Sequence, residues 1–175
     1  MTRHISKAIS LGCALGLATV PVLGLYFIWR IDLFAELSRA IAFLHSEYQW
    51  ATVVSWQWYT YWLLTALYYS IVLLGLYFLG RVFANFAEGV LYETSNGRDL
   101  KRFAILLSAL GVASPLQGVL SSFLFTFNHA PGEGMISLTL SSQDLSTIVL
   151  GVVLWVMSDL LLAGGRSESD NQQLV

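Results

Sequence analysis

The chain has 175 residues, 56% of them hydrophobic and 11% charged, with a mean hydropathy of +0.66; a soluble domain carries about 25% charged residues. That balance excludes an ordinary soluble enzyme and a disordered chain. A net charge of -2 leaves no basic field for direct contact with nucleic acid. A lone cysteine, Cys13, excludes a disulfide-stapled scaffold and reads as a buried structural thiol.

Crossing a hydrocarbon core of about 30 Å takes about 20 apolar residues at 1.5 Å rise. The uncharged stretch between Lys7 and Arg30 predicts a first span over about 9–29. Its apolar part is too long for a signal peptide, and no small-residue cleavage site follows Tyr26 to Trp29, so the expectation is an uncleaved span. Gly12 and Gly16 are expected to let a neighbouring helix approach closely.

From Ile31 to Trp50, the residues Leu33, Phe34, Leu37, Ala40, Ile41 and Leu44 recur at three- and four-residue spacing, with Asp32, Glu36 and Arg39 opposite. This pattern predicts an amphipathic interfacial helix on the outer membrane surface.

A second span is expected over about 58–80 and a third over about 103–127, within the uncharged stretches Glu47 to Arg81 and Arg102 to Glu133. Tyr61, Thr65 and Tyr68 of the second span and Gln117 of the third are expected to hydrogen-bond between helices. Ser114, Gly118 and Ser122 give the third span a small-residue face, and Pro21 and Pro115 are expected to kink their helices. Trp29, Trp50, Trp56, Trp58 and Trp62 gather at the outer ends of the first two spans, as an interfacial aromatic belt does.

Between the second and third spans, Phe83 and Phe86 continue an apolar face until Gly89 breaks it, and Asn96 with Gly97 predicts a turn before the next helix. Arg98, Lys101 and Arg102 open that helix. They serve either as topology anchors in contact with anionic lipid or, together with Arg81, Phe86, Gly89 and Tyr92, as a docking surface for a cytosolic protein.

The third connection carries a short β-prone run, Met135 to Leu140. His45 and His129 both lie on the outer side but have no companions at ligand spacing, so neither metal nor cofactor is expected. The fourth span, about 145–163, contains one carboxylate, Asp159, placed to reach headgroups or to pair with Arg81, Arg102 or Lys7. A short cytoplasmic tail, 164–175, follows.

Seven of the nine Lys and Arg residues fall in the N-terminus, the second connection and the tail. The positive-inside rule therefore places both termini and that connection in the cytoplasm. The expected fold is an all-α integral membrane protein, one domain of four transmembrane helices plus the interfacial helix. No nucleophile with a base and acid, phosphate loop or paired carboxylates is present, which argues against an enzyme.

Phe83, Phe86, Gly89, Tyr92 and Asn96, then Leu100, Lys101 and Arg102, resemble the middle of a bacterial four-span family called domain of unknown function 2975. Asp159, Gly164, Asp170, Asn171 and Val175 are similar to that family's closing pattern, although Leu162 and Ala163 stand where members carry basic residues. The resemblance implies an inner-membrane protein without assigned activity. Its genes often neighbour a small helix-turn-helix regulator, implying a cytosolic transcription regulator as partner. The leading expectation is a noncatalytic membrane sensor or regulator. Its competitor is a small transporter or lipid-binding subunit using Asp159, Gln117, Tyr61 and Tyr68. Expected partners are the bilayer, the regulator and a further copy of the chain.

Overall fold

The computed structural model describes residues 2–29, 53–90, 93–130 and 132–172, and the side chains of 3–26, 53–90, 93–130 and 132–163. Within them the structure is all-helical: α1 (Thr2–Trp29), α2 (Ser55–Glu88), α3 (Thr94–Thr126) and α4 (Ser142–Gln172). All four are long and apolar enough to cross a membrane. The predicted interfacial helix over Ile31 to Trp50 lies outside the described residues, as does Tyr92.

The helices overrun the spans predicted from uncharged windows. α2 has 34 residues and α3 has 33, about 50 Å each, well beyond the hydrocarbon core. Part of the extension falls where α2 and α3 meet, and there Arg81 pairs with Asp99 of α3 and Lys101 pairs with Asp159 of α4, so these charges do not end the helices. Backbone helix likewise continues through 164–172, where a tail was expected. α1 and α3 stay helical through Pro21 and Pro115.

Each helix packs principally on its neighbour in the chain: α1 on α2, α2 on α3, and α3 most extensively on α4. Burial is inverted relative to a soluble domain. Gln57, Asn96, Ser122 and Ser158 are fully buried, whereas Leu63, Leu67, Val149 and Leu160 are each more than 60% exposed. Apolar side chains facing outward are at home in lipid, where helix association relies on close packing and hydrogen bonds.

Close packing falls at glycines. A Cβ on Gly151 of α4 would lie 2.8 Å from the Ser108 backbone nitrogen and 2.9 Å from the Ala104 carbonyl oxygen of α3. One on Gly111 would lie 2.8 Å from the Asp144 carbonyl, and one on Gly97 would lie 2.7 Å from Leu162. Between α1 and α2, Gly16 meets Leu76 and Gly80 meets Cys13, which is buried as expected. At the expected positions Gly12 and Gly118, a Cβ would meet nothing within 4 Å. Close approach thus holds at the expected Gly16, and in α3 it falls at Gly97 and Gly111, in the same heptad register as Gly118 but nearer the start of the helix.

The predicted turn at Asn96 and Gly97 is also corrected. Both residues are buried in the first turns of α3, and Gly97 is small because Leu162 of α4 occupies the space beside it. The β-prone run Met135 to Leu140 forms no strand and has no regular secondary structure. Its backbone amides bond instead to α3 side chains: Met135 N to Thr126 Oγ1 at 3.1 Å, and Ser137 N to Ser122 Oγ at 2.9 Å.

Candidate functional site

Chemistry concentrates at the end of the molecule where α1 begins, α2 ends and α3 begins, here called the basic end. α2 terminates because Gly89 adopts a left-handed conformation, φ 89°, and its N–H turns back to the last carbonyls of the helix. Arg3 of α1 covers the same terminus, donating from Nε to the Ala87 carbonyl at 3.0 Å and from Nη2 to the Glu88 carbonyl at 3.3 Å. A cation at the negative pole of a helix satisfies carbonyls that have no partner within it.

Amides join the described flanks of the α2–α3 connection. Asn85 Nδ2 donates to Asn96 Oδ1 at 2.6 Å, and Asn96 Nδ2 donates to the Val90 carbonyl at 2.8 Å. One turn further along α3, Asp99 is buried to 3% exposure and holds two guanidiniums, one on each oxygen. Arg81 Nε lies 3.3 Å from Oδ2, and Arg102 Nη1 lies 3.1 Å from Oδ1. Arg81 sits over the Tyr77 ring and Arg102 over the Phe78 ring, at 5.8 and 5.3 Å from the centroids. Lys101 pairs with Asp159 of α4 at 2.8 Å and lies over the Trp155 ring at 5.5 Å.

The predicted docking residues are therefore brought to one end, but most are committed to the chain itself. Arg81, Arg102 and Lys101 bind carboxylates, Gly89 caps a helix, and Phe86 packs edge-on against Phe83. Arg98 is exposed on the surface of α3. Asp159 pairs with Lys101 in place of the expected Arg81, Arg102 or Lys7. Asp99 and Arg3, which organise this end, carry no signal in the sequence: Asp99 sits among basic residues and looks like part of a solvated charge run.

The expected intramembrane site does not assemble as one. Gln117 Nε2 donates to Thr65 Oγ1 at 3.3 Å, on the α2 face that also carries Tyr61 and Tyr68. Tyr61 packs on Phe125 at 5.3 Å between ring centroids, and Tyr68 meets Tyr69 edge-on at 5.8 Å. Asp159 lies level with Lys101, more than four turns of α3 from Gln117, about 24 Å at 1.5 Å per residue.

At the opposite, aromatic end, Gln57 is wholly buried. Its Oε1 accepts from Val54 N at 2.7 Å and Asn128 Nδ2 at 3.1 Å, and its Nε2 donates to the Leu124 carbonyl at 2.5 Å. Trp56 packs on Phe127 and Trp58 on Phe125. A cleft of about 340 Å³ opens here, lined in part by Phe123, Thr126, His129 and Met135. Among the described residues, no three His, Cys, Asp or Glu side chains come together to hold a metal; His45 lies outside them.

Comparison with family models, curated proteins and solved structures finds no match to this chain.

Proposed function

We propose that this chain is a noncatalytic four-span protein of a bacterial inner membrane, with both termini cytoplasmic, whose α2–α3 connection recruits a cytosolic transcription regulator. The observation that carries the reading is the construction of that connection. Arg3, Gly89, Asn85 and Asn96 hold the end of α2 and the start of α3 together from three helices, leaving Glu88, Val90, Glu93 and Arg98 exposed on the held flanks of the connection. A preordered surface loses less entropy on docking than a floppy loop. The gathering of Arg3, Lys7, Arg81, Arg98, Lys101 and Arg102 at one end favours the cytoplasm for it. The resemblance carried by Phe83, Phe86, Gly89 and Lys101 agrees with such a role.

A transporter or lipid-binding role through Asp159, Gln117, Tyr61 and Tyr68 is less well supported, because Asp159 is remote from the other three and paired with a lysine.

A photo-reactive amino acid at Val90 or Arg98 tests the docking reading in intact membranes. Cross-links to one cytosolic polypeptide, lost in an Asn96→Ala variant that still inserts, are expected. Labelling of lipid alone at both positions would end the proposal.

A further inference from the structure

Arg81 and Arg102 share the single carboxylate of Asp99, so the cluster retains one uncompensated positive charge. A guanidinium has five N–H donors, and the ion pair with Asp99 engages Nε of Arg81 and Nη1 of Arg102. Among the described residues, no other acceptor meets either group. Their side chains are 47% and 57% exposed, while the carboxylate between them is almost fully covered. Glu88 and Glu93 are exposed in the connection and form no ion pair with either arginine. The neighbouring cation, Lys101, is already neutralised by Asp159.

The surroundings specify what would complete these donors. The Tyr77 and Phe78 rings hold both guanidiniums at the margin of the apolar surface. Directly inward on the same helices, Leu74 and Tyr77 of α2 and Ile105 and Val112 of α3 are about half exposed. A paired set of open guanidinium forks above two outward apolar stripes matches an amphiphile with an anionic head. Arginine binds phosphate through two parallel N–H···O bonds, and its planar fork is suited to this geometry.

We propose that Arg81 and Arg102, positioned by Asp99, form a binding site for the headgroup phosphate of an anionic phospholipid, whose chains lie along the exposed stripes of α2 and α3. The site requires only the membrane-spanning architecture. A chain that recruits no cytosolic partner would still retain the lipid, so the two proposals fail separately.

The full chain, purified in mild detergent and analysed by native mass spectrometry, provides the test, together with thermal unfolding after addition of phosphatidylglycerol, phosphatidylcholine or inorganic phosphate. The wild-type chain is expected to retain phosphatidylglycerol over phosphatidylcholine and to be stabilised by it, but not by inorganic phosphate. Arg81→Gln is expected to reduce retention about fivefold and the Arg81→Gln/Arg102→Gln pair more than tenfold. Because that pair strands the Asp99 carboxylate, Arg81→Gln/Asp99→Asn/Arg102→Gln serves as a second variant, which removes the cluster with its counter-charge. Lys7→Gln, which removes an exposed cation elsewhere at the same end, is expected to leave retention unchanged. Equal retention in the triple variant and wild type would overturn the proposal, as would equal loss in Lys7→Gln. Equal stabilisation by inorganic phosphate, or a retained mass that proves to be a polypeptide, would also overturn it.

Discussion

Asp99 illustrates how one buried carboxylate can matter more by its removal from its partners than by its own loss. Asp99→Asn leaves two half-exposed guanidiniums that water can solvate, and should cost about 1–2 kcal/mol. Arg81→Ala combined with Arg102→Ala leaves the charge buried and unpaired, and should cost roughly 3–5 kcal/mol. Unfolding in detergent should rank them in that order; equal costs would show that Asp99 is solvated in the folded protein. Gly89 offers a conformational counterpart. Its positive φ is strained for any side chain, so Gly89→Ala should cost about 1 kcal/mol with no change in the contacts of α3 and α4. By contrast, the Lys101–Asp159 pair is substantially exposed, with side chains at 35% and 53%. Asp159→Asn should therefore shift stability by less than about 1 kcal/mol across neutral pH.

Among the elements, α3 and α4 form the tightest pair, and glycine governs it. Gly151→Leu or Gly111→Val would drive a side chain into the backbone of the facing helix, at distances below 3 Å. Such overpacking should cost about 1–3 kcal/mol or more. Gly118→Ala and Gly12→Ala, where nothing lies within 4 Å, should leave the unfolding temperature unchanged. Glycine scanning with thermal unfolding in detergent distinguishes the two groups. The same glycines show what could be read from the chain and what could not. Uncharged windows yield the four spans, since hydrocarbon tolerates few charges whatever the helices do next. The left-handed stop at Gly89 and the burial of Cys13 follow from local chemistry and are also legible. The level at which a glycine meets its partner is not, because Gly12 has the same local credentials as Gly16, and Gly118 the same as Gly111 one heptad before it. The heptad run Gly97, Ala104, Gly111 and Gly118 in α3 marks the face, crosses the expected boundary of the third span, and meets α4 closely at Gly97 and Gly111 but not at Gly118. The Asp99 cluster is hidden for a related reason. Its partner Arg81 sits 18 positions away on another helix, and spacing within one helix says nothing about that meeting.

For the whole molecule, the arrangement has a defined polarity: paired cations at one end, Trp56, Trp58 and the buried Gln57 at the other. An enzyme reporter active only after export should be active when fused at Gly132 and silent when fused after Val90. The reverse pattern would invert the proposed orientation. Since each helix rests principally on its chain neighbour, the α1–α2 and α2–α3 contacts need not await the last segment, whereas α3 meets its most extensive partner only when α4 arrives. The topology therefore allows assembly in the order of synthesis, since the Arg3 contacts to the end of α2 involve nothing from α4. A chain halted before α4 would keep the first three helices together yet expose the Gly97 to Gly111 groove, a bare strip of backbone suited to recognition by membrane quality control.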